Sequence, residues 1–550
     1  MKKTIYLFIS LIILASCDDA LVTYNKNQLD KAAFFKTEND LKLAVNTAYT
    51  PLAQDGMFGL GYFLHQNTLD PYIWFENPNS GLDKMLIGIS DFSTTWRDLY
   101  IGLFRTSDIL ANISRLDGKV SDENMKIYKG QLTALRGMYY FYLVTWFNKP
   151  IYYDETNVPT DPFYQFSNAE PELFWNKLEE DLTFAASNLP ATWGNEDKGR
   201  ITKGAASAQL GKSLLYKHFH YYLRFGKGNS AEAKNNLLKA KNALKAVVDG
   251  QVYKLIQAKA NTKKDFQAAL LSNSSYLDIP VGNNIYPAEN NDESVWEIQY
   301  NDDTKGNTGW LPGWQWGGNL NYMYFSSHLL AYKNQEIDPS LWYEFETTSS
   351  HIAGYDRDPR AYATCFLDGD TMDWRPSSSY NVPFSSALNS KRIVSSKNLY
   401  NGPSPSVAIG LKKYNYPQFT EKSAPNCAPF NVRVIRYADV LLMYAEACYL
   451  YDGDSDGSGL AALNQVRRRA GMPDQTALTP EIIVHERNVE LATEGHRYND
   501  IVRWAYSPEF NIDLGALFKY NFDTNKNFYY PIPQSEINAN RGTLKQNPGW

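Results

Sequence analysis

Apolar residues recur three and four positions apart along much of the chain, the spacing that gathers them on one face of a helix. In SDENMKIYKGQLTALRGMYYFYLVTWF, residues 121 to 147, Ile127, Leu132, Leu135, Met138, Tyr139, Tyr142, Leu143 and Trp146 follow this spacing. Ser121 or Asp122 supplies the cap at its start. Leu210, Leu214, Leu215 and Phe219 repeat the pattern within 201 to 223. Ala231, Leu237, Leu238, Ala240, Leu244 and Val248 carry it from about 230 to Gly250, a residue type that ends helices. Helices of this length with short connections pack as antiparallel pairs. The spacing therefore predicts a helical-hairpin stack of the tetratricopeptide kind over about 37–272.

The pattern breaks over about 273–430. This stretch is rich in Asn, Ser, Gly, Pro and aromatics, with short runs such as SVWEIQY (294 to 300). It predicts loops, short strands and few helices. So long an irregular stretch is either functional or disordered, and its aromatics argue against disorder. Helical spacing returns over about 431–506. Leu460, Leu463 and Val466 mark a short helix closed by Gly471, and Thr479-Pro480-Glu481 opens another with a cap, a first-turn proline and an acidic residue. The predicted fold class is mostly α: a tetratricopeptide-like scaffold of helical pairs with a loop-rich, partly irregular half, in one domain over 37–550.

The N-terminus has its own pattern. Lys2 and Lys3 precede an apolar run, IYLFISLIIL, from Ile5 to Leu14. Ten residues are too few to span a bilayer, which takes about 20, but suit a signal peptide. Leu14-Ala15-Ser16-Cys17 then looks like a lipobox, in which Cys17 is lipidated and residues 1–16 are removed. Residues 17–36 read as a lead from the lipid anchor. Asp18 and Asp19 resemble the acidic surface-export tag of Bacteroidota-type lipoproteins.

Composition sharpens this picture. The formal charge of −6 becomes −8 once Lys2 and Lys3 are lost, so no basic footprint points to nucleic acid. Thirteen Trp, 39 Tyr and 27 Phe are a high aromatic content; much of it must be core, but so many Tyr and Trp also suit recognition surfaces. The cysteines left are Cys365, Cys427 and Cys448, an odd number and no disulfide framework. Cys448 lies in a helical pattern and reads as a buried apolar residue. Cys365 and Cys427 either pair or stay apart.

The stretch NTGWLPGWQWGGNLNYMYF, 307 to 325, concentrates the candidate chemistry. It carries Trp310, Trp314, Trp316, Tyr322 and Tyr324 beside Asn307, Gln315, Asn319 and Asn321. No charged side chain occurs from Gly306 to Phe325, which favours a neutral ligand. A flat indole covers the C–H face of a sugar while amides take its hydroxyls, so this pattern points to glycan binding. Trp74 and Trp374 lie in similar surroundings, with Asp70 and Arg375 nearby. The competing reading is a small core for the loop-rich half, since Trp is usually buried. Trp96 fits a helical face and reads as core.

Catalytic and metal motifs are sparse. Glu486, Glu490 and Glu494 align four apart, with Arg487, Arg497 and Arg503 close enough to pair with them, which reads as an ion-paired packing network. No acid and base face each other as glycoside hydrolysis requires. No HExxH or Walker loop occurs, and the one GxSxG string, Gly453 to Gly457, lies in an Asp-rich stretch between helical patterns and forms no strand-to-helix elbow. DGDSDGSG places Asp452, Asp454 and Asp456 at alternate positions, like the first half of a calcium loop, but Leu463 replaces the closing Glu. The loop is either a weak calcium site or an Asp- and Gly-rich turn.

Several blocks together resemble the SusD/RagB family of outer-membrane nutrient-binding lipoproteins. They are WRDLYIGLFRTSDILANI (Trp96 to Ile113), ALRGMYYFYLVTWFNKPIY (Ala134 to Tyr152), RYADVLLMYAEACYL (Arg436 to Leu450), LNQVRRRAG (Leu463 to Gly471), HERNVELATEGHRYNDIVRW (His485 to Trp504) and FYYPIPQSEINANRGTLKQNPGW (Phe528 to Trp550). They occur in family order and span nearly the whole chain after the lipobox. The resemblance implies a surface lipoprotein that captures a nutrient, usually a glycan and sometimes peptide, without covalent chemistry. It implies delivery to a SusC-like TonB-dependent transporter in the outer membrane. A glycan-degrading enzyme and a lid subunit that binds only the transporter are the alternatives.

Overall fold

The computed structural model describes residues 35–75, 82–159, 165–259, 262–272, 279–281, 283–300, 335–347, 354–367, 371–374, 390–393, 409–413, 430–519 and 521–550. The described residues open with helix α1 (Glu38–Tyr49), where Thr37 and Asp40 cap each other reciprocally. Helix α2 (Gly61–Thr68) leads into strand β1 (Ile73–Phe75). There follow α3 (Ser93–Asn112), α4 (Asp122–Phe147), α5 (Pro171–Asn188), α6 (Lys203–Lys217), α7 (Ala231–Asp249) and α8 (Lys263–Ser272). From α3 to α7 each helix packs on the next, the predicted pair rhythm.

Within that stack α4 is central. Ser121 caps it, its hydroxyl accepting from the Asn124 N–H at 3.2 Å. One apolar face was expected, but Tyr140, Phe141 and Val144 are buried as deeply as the predicted positions. A helix apolar all round is one enclosed all round. Here α3 and α5 flank it, and the C-terminal tail covers the rest. The Tyr530 N–H donates to the Trp146 carbonyl at 2.7 Å, and the Tyr530 ring stacks on Phe92 at 3.8 Å. The buried Arg136 joins α4 to Asp181 of α5 through two hydrogen bonds of 2.7 and 2.8 Å. At the α3–α4 crossing, a Cβ on Gly102 would lie 2.1 Å from the Tyr139 ring, so only glycine permits this approach.

Helix ends differ in detail from the spacing argument. Gly250 has an ordinary φ of −64°, and Gln251 takes the left-handed conformation instead. Gly471 does adopt it, at φ 72°. The α6 face continues through Phe219 as a π-helix, His218–Leu223.

The middle of the chain builds short strands: β2 (Ile279–Val281), β3 (Asn284–Tyr286), β4 (Ser294–Ile298) and β5 (Gln335–Ile337). Two short helices follow, α9 (Pro339–Glu344) and α10 (Pro359–Thr364). Strands β6 (Cys365–Phe366), β7 (Thr371–Trp374), β8 (Ser390–Ile393), β9 (Ile409–Leu411) and β10 (Val432–Arg436) come next. Antiparallel pairing joins β1, β5, β9 and β6 in that order, while β4 pairs with β10, β2 with β3 and β7 with β8. Helices α11 (Tyr437–Asp452), α12 (Ser458–Arg469), α13 (Pro480–Glu490), α14 (Arg497–Trp504), α15 (Leu514–Leu517) and α16 (Gln534–Ala539) complete a mostly helical fold. Cys448 is fully buried in α11 and Cys365 is buried on β6, while Cys427 lies outside the described residues. No helix of the described residues is long and apolar enough to cross a membrane.

Buried charge joins the two halves. Glu486 and Glu490 lie on α13 and Glu494 just beyond it, but their partners are not the neighbouring arginines that the spacing suggested. Glu486 pairs with Arg467 and Arg360, and Glu490 with Arg436, Arg360 and Arg469. Glu494 pairs with Arg436 and Lys413. Asp358 and Glu293 complete the set, so five buried cations meet five buried carboxylates. Arg487 and Arg503 turn instead to Asp439, Asp500 and Glu446, and Arg497 to Asp70. Sequence spacing shows which residues share a helix face, but tertiary packing chooses what that face meets.

Candidate functional site

The aromatic stretch from 301 to 334, with Trp310, Trp314, Trp316, Asn319, Tyr322 and Tyr324, lies outside the described residues, as do Arg375 and Cys17. Its two attachment points are described. On one side the Tyr300 N–H donates to Asn431 Oδ1 at 2.9 Å and its phenol to the Ala53 carbonyl at 3.1 Å. On the other side the chain re-enters as β5. Gln335 stands opposite Phe75, and Glu336 opposite Trp74. The residues that follow the aromatic stretch are thus paired with the strand that carries Trp74. Trp374 stands opposite Ser390 in the separate β7–β8 ribbon, and no pairing links that ribbon to β1. Trp96 is core, 2% exposed on α3.

A polar corner anchors β1 and β5. The Asp338 N–H donates to the Tyr72 carbonyl at 2.8 Å, and the Tyr72 phenol to Glu344 Oε1 at 2.6 Å. Asp70 is buried and accepts from the Tyr72 N–H at 2.8 Å, with Arg497 at 4.0 Å. Burial outweighs that arginine and raises its carboxyl to about 6. The Arg497 guanidinium lies over the Tyr72 ring at 4.2 Å. His485 of α13 sits 3.1 Å from Glu346 and 3.8 Å from Glu344. Burial opposes its charge, but hydrogen bonds with both carboxylates win and lift it to about 9. Hydrogen bonding with His485 in turn holds Glu344 and Glu346 at about 2.

Aromatics missed by sequence reasoning border this corner. Tyr343 on α9 is 69% exposed. Trp342 packs edge-on to Tyr362 at 5.4 Å, with Arg357 over its face at 5.2 Å. The signal was present: Asp338-Pro339 is a cap followed by a first-turn proline, with Asp338 accepting from the Ser340 N–H. The same signature was legible at Thr479-Pro480. WYE inside so short a helix gives no periodicity, so the stretch read as loop.

The acidic loop is built as a turn. Asp452 accepts from the Ser455 N–H and hydroxyl. Asp454 takes the N–H groups of Gly459 and Leu460 at 2.7 and 2.8 Å, capping α12. Asp456 takes the Ser458 N–H, and Lys241 lies 3.4 Å from it and 3.8 Å from Asp452. The carboxylates serve local donors and one ammonium rather than converging on a common point. Among the described residues no group of three His, Cys, Asp or Glu is placed to hold a metal ion.

Comparison with known proteins matches this architecture. The SusD family model matches residues 266–550. A second model, described as starch-binding associating with outer membrane, matches residues 24–215. The chain is 23% identical over 532 residues to a SusD-like protein of Bacteroides ovatus, covering 92% of this chain and 83% of that one. A solved laminarin-binding SusD-like protein aligns with a TM-score of 0.67 at 23% identity, over 94% of this chain and 100% of that one. Surface glycan-binding protein A of Bacteroides thetaiotaomicron, in complex with laminarihexaose, aligns with a TM-score of 0.67 at 21% identity, over 93% and 100%. With the fold shared along nearly its full length and the family model covering more than half of it, this chain belongs to the SusD family.

Proposed function

We propose that this protein is a lipoprotein of the outer membrane, anchored through Cys17, that captures a neutral glycan at the cell surface. It passes the glycan to a SusC-like TonB-dependent transporter and performs no covalent chemistry. One observation carries the reading: the chain between Tyr300 and β5 includes an uncharged run, Gly306 to Phe325, with three tryptophans, and β5 itself pairs with the strand that bears Trp74. Indoles there cover the apolar faces of sugar rings, and Asn319 and its neighbours take hydroxyls. Family membership supports it, as do neighbours of the same fold, one laminarin-binding and one solved with laminarihexaose. Glu486, Glu490 and Glu494 are engaged by arginines, so none of these three is poised as a general acid.

The test is calorimetry with a panel of neutral oligosaccharides, laminarihexaose among them, on the wild type and on W74A, W310A, W314A and W316A. We expect binding that at least one tryptophan variant weakens tenfold or more with the melting temperature unchanged. Released reducing ends would make the protein an enzyme. Failure to bind any saccharide, with transporter association retained, would make it a lid subunit.

A further inference from the structure

Helices α5 and α7 stand on either side of α6 and leave a groove of about 1060 Å³ between them, remote in the chain from the aromatic stretch. Its floor is built. Lys217 of α6 is 5% exposed and donates to Glu179 at 2.9 Å and Asn176 at 3.3 Å. Lys239 reaches the other Glu179 oxygen at 2.6 Å, so the middle of the groove carries no uncompensated negative charge. Asn236 is 4% exposed, and its amide donates to the Leu214 carbonyl at 2.8 Å. Its Oδ1 has no hydrogen-bond partner, an unusual state for a buried acceptor.

Carboxamides also line the walls. Asn176 and Asn188 mark the ends of the α5 wall, and Asn235 and Asn242 lie seven apart on α7, on one helix face. A carboxamide presents an N–H donor and a carbonyl acceptor in one plane, the same pair that a backbone peptide group presents. Twelve residues separate Asn176 from Asn188, about 18 Å along the helix, which matches five or six extended residues. Phe184 and Tyr222 are the aromatics of the groove, and no indole lines it. Tyr222 is 9% exposed, so its ring offers no open platform for a sugar. At the Asn176 end, Glu172 and Glu232 both act electrostatically on Tyr222. Lys227 acts electrostatically on both, but neither forms an ion pair with it or with any other described residue.

We propose that the α5–α7 groove binds an extended polypeptide segment of about six residues, read through its backbone by asparagines, with a basic side chain at the Glu232 end. The experiment pans the full chain against a phage library of random heptapeptides, then measures synthetic copies of enriched peptides by fluorescence anisotropy. Asn235 and Asn242 are exposed, so N235A/N242A is expected to keep the wild-type melting temperature. The expected result is enrichment of peptides with Lys or Arg toward one end. Their affinity falls at least tenfold in N235A/N242A and about threefold in E232Q, with oligosaccharide binding unchanged. Absence of enrichment overturns the proposal, and so does equal binding to N235A/N242A. Oligosaccharide binding that persists in W310A/W314A/W316A but disappears in N235A/N242A overturns it too, since the groove would then be a sugar site.

Discussion

Replacing Arg436 by Met removes the centre of the buried charge network. The guanidinium donates to Glu494 at 2.7 and 2.9 Å, to Glu293 at 2.9 Å, to the Glu490 carboxylate at 2.6 Å and to the Glu490 carbonyl at 2.7 Å. R436M leaves the five buried carboxylates facing four cations. Breaking a buried pair from one side costs about 3–5 kcal/mol, because the remaining charge stays desolvated and uncompensated. An unfolding entropy of about 2.1 cal/mol/K per residue gives roughly 1.1 kcal/mol/K for a chain of this size. The expected loss in melting temperature is therefore about 3–5 °C by scanning calorimetry. The mechanism makes a second demand. Glu494 is held at about 2, with Arg436 the largest influence against its burial. Its folded value lies below its unfolded one, so its stabilisation is present above about pH 4.3 and is lost as pH falls toward 2. In R436M the folded value rises toward the unfolded one, so this acid-dependent loss shrinks, and R436M/E494Q recovers part of the melting temperature by removing the stranded charge. A drop of less than 1 °C, or a double variant no better than R436M, would refute the idea that this charge balance holds the halves together.

Other expectations follow from single contacts. His485 is raised to about 9, so its stabilisation is complete below about pH 6.5 and lost as pH rises through 9. The melting-temperature gap between wild type and H485N should close over that window. G102A drives a methyl into the buried Tyr139 ring, whose phenol is fixed to the Ala48 carbonyl at 2.8 Å. Overpacking of this kind costs about 1–3 kcal/mol, visible in urea unfolding as a lower midpoint. D454A removes two capping hydrogen bonds from α12 and should cost about 1 kcal/mol, while calcium titration of the wild type produces no heat and no shift in melting temperature.

The helical scaffold was legible because long helices repeat their signal. Ser121, Ile127 and Trp146 act together to specify α4, and Thr479-Pro480 specifies the start of α13. What encloses α4 was not legible, since the covering Tyr530 lies nearly 400 residues away and no local pattern encodes that contact. The partners of Glu490 were hidden for the same reason: Arg436, Arg469 and Arg360 come from three elements. At the candidate site the aromatic stretch stood out by composition alone. The strand pairing that sets Glu336 of β5 opposite Trp74 did not, because a three-residue strand carries too little alternation to read. Trp342 and Tyr343 escaped notice because α9 is shorter than two helical turns.

The closing of the core by Tyr530 sets an order of events for the chain. Gln66 donates to the Tyr530 phenol and Tyr62 to the Gly495 carbonyl, across 464 and 433 positions. Contacts that distant in sequence form slowly, because a long loop must close before any of them is gained. The cluster around Phe92 and Trp146 therefore has no lid until Tyr530 has been synthesised. A growing chain is kept from completing its fold early, and one cut off before Tyr530 keeps its aromatic interior open to water and to proteases.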